Sequence, residues 1–184
     1  MKFNETPLSG CYTIDLDRLI DSRGWFSRTY CHDEFAAIGF YDNWVQHNHS
    51  YSASAGTIRG MHYQKMPAGE VKLIRCISGH VFDVAIDLRP DSETYLEWFA
   101  TELSASNKKM IFIPKGFAHG FQALSDDVEL LYCHSELYKP EYEAGLNYLD
   151  PKLAIEWPLD ITSISDRDKQ HPFINRNFEG VNIK

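Results

Sequence analysis

His80-Val81-Phe82-Asp83-Val84-Ala85-Ile86-Asp87-Leu88-Arg89 reads as a β-strand. Phe82, Val84, Ile86 and Leu88 share one face while Asp83, Ala85 and Asp87 share the other, the period of two that a pleated strand imposes. Ser78-Gly79 supplies the turn before it and Pro90-Asp91 the stop after it. Outward from this run, Val71 to Ile77, Glu97 to Leu103, Met110 to Pro114, Phe121 to Leu124 and Val128 to Tyr138 are also rich in β-branched and aromatic residues. Many short antiparallel strands imply a mainly β chain folded as a jelly roll or barrel. Helical signal is thin: His32 to Ile38 spells about two turns ended by Gly39, and the tail after Pro158 adds another short helix. The helices are therefore expected at the periphery.

The sequence contains no internal repeat, low-complexity tract or Gly/Ser linker, so residues 1–184 read as a single domain. A chain of this length buries about 70% of the surface its unfolded form exposes, enough for one core. The 18 basic and 26 acidic residues give a net charge of -8, which argues against a general affinity for nucleic acid or anionic membrane. An anionic ligand would have to be gripped locally by a few placed arginines and lysines. Cys11, Cys31, Cys76 and Cys133 form no Cys-x-x-Cys pair, so neither a zinc knuckle nor a redox pair is readable, and reduced thiols of a cytoplasmic protein are expected. No run approaches the roughly 18 apolar residues of a membrane span, and the first ten residues lack a signal-peptide core.

Three stretches carry chemistry: Arg59-Gly60-Met61-His62-Tyr63-Gln64, Val71-Lys72-Leu73 and Pro114-Lys115-Gly116-Phe117-Ala118-His119-Gly120-Phe121. A histidine can take a proton near neutral pH, and a nearby cation can hold the negative charge that proton removal leaves on a carbonyl oxygen. Gly60 permits a close backbone approach, and Arg59 offers a fork for phosphate or carboxylate oxygens. A straight strand from Val128 to Tyr138 would align Val128, Leu130, Tyr132, His134, Glu136 and Tyr138 on one face. With Tyr132 added to His62, Lys72 and His119, an acid, a base and a cation are expected on strands of one sheet. In Ile164-Ser165-Asp166-Arg167-Asp168-Lys169, one aspartate could reach back to orient His62; the residues leave Asp168, Asp166 and Asp83 open. Pro114 to His119 also resembles the second half of the cupin metal motif. The first half is missing, since His62-Tyr63-Gln64 and Lys65 stand where metal-binding cupins show His-x-His and a glutamate. His49, His62 and His119 make the rival ligand set for a metal-dependent oxygenase or isomerase.

From about Gly10 to Pro172 the chain resembles the dTDP-4-dehydrorhamnose 3,5-epimerases, nucleotide-sugar enzymes of the cupin superfamily. The resemblance rests on Asp21-Ser22-Arg23-Gly24-Trp25-Phe26, Val45 to Ser50, Arg59 to Gln64, Lys72-Leu73, Gly79 to Arg89, Pro114 to Phe121, Tyr138 to Gly145 and Ser165 to Asp168. It implies a cupin-type jelly-roll homodimer that epimerises a 4-keto-6-deoxy sugar with no metal or organic cofactor. It also implies that His62 is the base, paired with Asp168, that Lys72 stabilises the enolate oxygen, and that Tyr132 returns a proton from the opposite face of the ring. Arg59 and Arg23 resemble arginines that hold the diphosphate, the Arg23 segment being lent by the partner subunit. Gln46, Asn48, His119, Tyr138 and Glu143 look like pocket residues, with Tyr138 stacking on the base; Arg167 falls in the matched segment Ser165 to Asp168, and Arg28 is also expected to contact substrate, near the nucleotide. The chain departs from the pattern at Arg28, where a carboxylate is usual, at His47 and Tyr51, and at Cys133-His134, which replaces Lys-Thr. His134 would share the face of Tyr132 and could alter which carbon is reprotonated. A single-carbon epimerase, an enzyme of another nucleotide sugar, and a non-catalytic binder on the same barrel are the other expectations.

Overall fold

The computed structural model describes residues 1–183. In chain order its elements are β1 (Lys2–Glu5), β2 (Tyr12–Asp15), β3 (Leu19–Asp21), β4 (Gly24–Phe26), α1 (His32–Ala36), β5 (Gln46–Ser52), β6 (Ile58–Gln64) and β7 (Lys72–Ser78). There follow β8 (His80–Asp87), β9 (Trp98–Ser104), β10 (Met110–Ile113), β11 (Phe117–Ala123), β12 (Val128–His134), β13 (Glu143–Gly145) and α2 (Asp166–Lys169). Six strands form one sheet in the order β1-β2-β10-β7-β12-β5, five form another in the order β13-β6-β11-β8-β9, and β3-β4 is a separate hairpin. The named strand pairs within the sheets are antiparallel. The architecture is the expected mainly β jelly roll, open rather than closed into a barrel, and both helices are short.

Side-chain alternation explains the layering. Ile74, Cys76, Ile111, Val128 and Leu130 from the six-stranded sheet meet Val81, Ala85, Phe117, Phe121 and Ala123 from the five-stranded sheet in one core between them. The apolar face of β8 is turned the other way: Val84, Ile86 and Leu88 pack under Leu146, Leu153, Ile174 and Val181 of the C-terminal segment. The outer face of the six-stranded sheet is covered by Phe35 of α1 and by Phe40, which lie on Leu73, Met110 and Phe112. Burying each such side chain contributes about 1.5–3 kcal/mol.

Two strand boundaries differ from the sequence reading by more than two residues. β11 begins at Phe117 rather than Phe121, because all seven of its residues are buried and no polar alternation marks it. β12 ends at His134, so Glu136 and Tyr138 do not continue the face of Tyr132. Beyond His134 the Ser135 hydroxyl accepts the Val71 N–H at 2.8 Å and Gln46 Oε1 accepts the Tyr138 N–H at 3.0 Å, drawing the chain out of the ladder.

Candidate active site

A bulge on β6 places the first two functional side chains. Residues three apart on a regular strand point to opposite faces, yet Arg59 and His62 both line one cavity of about 570 Å³. The register explains it: His119 pairs with His62 and Phe121 with Arg59, so three steps on β6 match two on β11. Gly60, at φ +135°, is the residue that permits this, and a Cβ there would stand 2.5 Å from the Cα of Gly120.

The Gly60 N–H donates to Asp168 Oδ2 at 3.2 Å, and His62 Nε2 lies 2.8 Å from Asp168 Oδ1. Ser165 caps α2 by accepting the Asp168 N–H, which turns Asp168 inward while Asp166 stays exposed beside Lys169. Asp83, the third aspartate that the sequence left open, is buried on β8 and holds His119 Nε2 at 2.9 Å. Burial opposes the charged form of Asp168, but the His62 imidazole and the Gly60 N–H outweigh it and hold the carboxyl well below the usual carboxylate range. A native value beneath the unfolded one means that the pairing stabilises the fold above about pH 4 and that this contribution is lost as pH falls through the native value. Asp168→Asn protein is therefore expected to show a shallower loss of urea stability than the parent from about pH 5 to pH 2. Parallel losses would deny the carboxylate this role.

The acid and the cation do not share a sheet with the base, contrary to the sequence reading. His62 and His119 belong to the five-stranded sheet, whereas Lys72 and Tyr132 belong to the six-stranded sheet opposite. The Lys72 ammonium crosses the gap and donates to the His62 carbonyl at 3.3 Å. Tyr132 reaches Ser50 Oγ at 3.0 Å and packs edge-on against the His119 ring. Burial pushes the Tyr132 phenol up, and Ser50 offsets this only in part, so the hydroxyl keeps its proton at neutral pH. Burial likewise lowers His119 despite Asp83, favouring a neutral ring.

The remaining positions sort into cavity, rim and outside. Arg59, Asn48, His119, His134 and Arg167 line the cavity with the four residues named for catalysis. Gln46, Tyr138 and Glu143 stand beside that wall. Gln46 Nε2 donates to Asn48 Oδ1 at 3.2 Å, the Tyr138 hydroxyl to Glu143 at 2.7 Å, and Arg167 Nη1 to Glu143 at 2.9 Å. Arg23 and Arg28 are not brought to this cavity by their own chain. Arg23, at the hairpin turn, pairs with Asp21 at 2.6 Å, and Arg28 pairs with Glu34 of α1 at 2.7 Å. Tyr51 points the opposite way from Asn48 and Ser50, onto Asp127.

The metal set His49, His62 and His119 does not converge, because β5 turns Asn48 and Ser50 inward and His49 outward, where it meets Glu129 at 2.8 Å. Among the described residues a different group, His62, Asp168 and His171, brings its ligand atoms within 4.8 Å of one another. The Arg167 guanidinium stands 3.4 Å from both His62 Nε2 and Asp168 Oδ1, so a cation already occupies that ground. The sequence reading missed His171, whose ring packs on His62 with centroids 5.6 Å apart, as well as Ser50 and Glu70. A further cavity of about 640 Å³, between residues 5–12, 89–94 and 181–183, holds none of the candidate site residues.

A jelly roll whose cavity gathers a His–Asp pair, a lysine and a buried phenol has the parts of an acid–base enzyme. The family whose sequence profile matches residues 5–176 is described as dTDP-4-dehydrorhamnose 3,5-epimerase. A dTDP-4-dehydrorhamnose 3,5-epimerase of Methanothermobacter thermautotrophicus is 42% identical over 180 residues, 96% of each chain. A dTDP-4-dehydrorhamnose 3-epimerase of Streptomyces niveus is 38% identical over 92% of this chain and 82% of its own. Among solved structures, the Legionella pneumophila 3,5-epimerase in complex with dTDP-4-keto-L-rhamnose superimposes with a TM-score of 0.91 at 34% identity, covering 100% of this chain and 98% of its own. The chain belongs to the dTDP-4-dehydrorhamnose 3,5-epimerase family, which are isomerases of nucleotide-linked sugars.

Proposed function

We propose that this chain epimerises a nucleotide-linked 4-keto-6-deoxyhexose at carbons 3 and 5, converting dTDP-4-keto-6-deoxyglucose to dTDP-4-keto-rhamnose. The observation that carries it is the suspension of His62 and Tyr132 from opposite sheets over one cavity that Lys72 also lines. The substrate's own ketone acidifies the protons on both adjacent carbons, so the chemistry calls for no redox step, metal or organic cofactor. His62, with one ring nitrogen on Asp168, takes the carbon-bound proton on the other. The electron pair moves onto the carbonyl oxygen, where Lys72 meets the enolate charge. The Tyr132 hydroxyl then protonates the carbon from the other face of the ring and recovers its proton from solvent. Proton NMR in deuterated water tests this: loss of both the carbon 3 and carbon 5 signals supports the proposal, and loss of neither defeats it. Loss of one alone would mark a single-carbon epimerase, a reading favoured by the 3-epimerase relative.

Arg59, Arg167 and, from a second copy, Arg23 would hold the diphosphate. Arg28 would assist from the same segment, and Tyr138 would stack on the base with Gln46, Asn48, His119 and Glu143 around the sugar. The β3-β4 hairpin supports a homodimer: it pairs with neither sheet, yet it exposes Leu19 at 71%, Ile20 at 75% and Phe26 at 72%. Placing Asp at both Ile20 and Phe26 is expected to give a monomer by sedimentation, with a large rise in KM because Arg23 is lost from the partner's cavity. An unchanged dimer would refute this role for the hairpin. Among the described residues no helix is long and apolar enough to cross a membrane. A single-domain enzyme of the cytoplasm, free of nucleic acid and membrane, completes the proposal.

A further inference from the structure

Glu70 belongs to no motif and lies just before β7, yet it joins two neighbouring strands of one cavity wall. Its Oε2 is 2.7 Å from His134 Nδ1 and its Oε1 is 3.3 Å from Lys72 Nζ. All three side chains are about nine-tenths buried. Register makes the arrangement firm, because His134 and Lys72 are direct cross-strand partners on β12 and β7. The far nitrogen of His134, Nε2, lies 3.3 Å from Asn48 Nδ2, and its ring stacks on Tyr132 with an interplanar angle of 22°. Both carboxylate oxygens of Glu70 are thus committed, one to each side chain.

Burial works against the ammonium form of a lysine, and a lysine in a closed wall keeps its proton only if a counter-charge is fixed beside it. An uncharged amine would give an enolate oxygen far weaker stabilisation. Burial alone would raise the Glu70 carboxyl, but Lys72 and His134 outweigh it and hold it ionised. We propose that Glu70, fixed in place by His134, is a positioning residue that keeps Lys72 charged and aimed into the cavity, with His134 acting through Glu70 rather than on the sugar. This rests on the enolate role given to Lys72 above.

The other titratable and charged groups lining the cavity with Lys72 are Tyr132 and His134 from β12, His62 and Arg59 from β6, His119 from β11 with its Asp83 partner from β8, and Arg167 and Asp168 from α2. Among the described residues the Lys72 ammonium forms an ion pair with no carboxylate other than Glu70.

The test has an arm that needs no substrate. In protein labelled with carbon-13 lysine, the Lys72 Cε signal is expected to titrate at a pH lower by about one unit or more in Glu70→Gln than in the parent, since a unit is a tenfold change in protonation. Glu70→Asp should restore part of that shift. An unmoved titration would overturn the proposal whether or not the epimerase reading holds, and failure of the parent to exchange substrate protons would overturn only that reading. In the kinetic arm, Glu70→Gln should lower kcat at least tenfold at pH 8 with little change in KM, and bring the alkaline limb of the profile to lower pH. His134→Asn should do the same to a smaller extent, and the double variant should be no worse than Glu70→Gln alone. Additive losses would show that His134 acts independently of Glu70 and would refute the relay.

Discussion

His62→Ala protein is expected to leave the protons on carbons 3 and 5 of dTDP-4-keto-6-deoxyglucose in place in deuterated water, with exchange slowed about 10³–10⁴-fold, the upper range for a positioned general base. The carbonyl and Lys72 remain in this variant, so the enolate is still stabilised once formed. What is lost is the cavity-lining imidazole that Asp168 holds at 2.8 Å. Removing the ring also leaves a buried carboxylate with fewer partners, so a loss of activity could be a loss of fold. His62→Gln, whose amide nitrogen reaches the position of Nε2 and can keep the hydrogen bond to Asp168, is the control: it should fold like the parent and exchange as poorly as His62→Ala. Exchange within about tenfold of the parent in either variant would remove His62 from the role of base.

Tyr132→Phe should separate two events that the parent couples. Inversion is expected to fall about 10²–10³-fold, while proton exchange at the same carbons continues. His62 still carries the proton away and trades it with solvent, so a deuteron returns to the face it left and the sugar keeps its configuration. The measurement is the ratio of deuterium incorporated to product of inverted configuration, which should rise steeply. The structure supports the assignment because the phenol is buried, stays protonated and is fixed by Ser50 from the sheet opposite His62. If exchange and inversion fall together, the proton returned to the second face does not come from Tyr132.

How much of this was legible in the sequence depends on the range of the signal. β8 was plain because both of its faces alternate, even though the apolar face proved to lie beneath the C-terminal segment rather than between the sheets. β11 was half hidden because uniform burial erases alternation. His62, Lys72 and Tyr132 stood out as residues, but the division of base from acid across two sheets is a matter of strand order, which local pattern does not encode. The choice among three aspartates turned on a helix cap and on a partner for Asp83, and each is a contact formed only in the fold. Glu70 left no trace at all: its partner His134 is 64 residues away, and an acidic residue ahead of a strand reads as a solvated turn. Arg28 was noticed for its departure from the family pattern, but its pairing with Glu34 was not.

The two-sheet arrangement has a consequence for how substrate choice can drift in such a protein. Base and acid are the two jaws of a calliper whose opening is set by the spacing of the layers, about 10 Å between packed sheets. The gauge of that calliper is kept by Ile74, Leu130 and Phe121 in the core between them, none of which takes part in the proton transfers. A methyl group gained or lost there would widen or narrow the slot between the His62 imidazole and the Tyr132 phenol without touching either. Selection for a thicker or thinner sugar can therefore act on greasy residues in the middle of the molecule while the reactive residues stay the same.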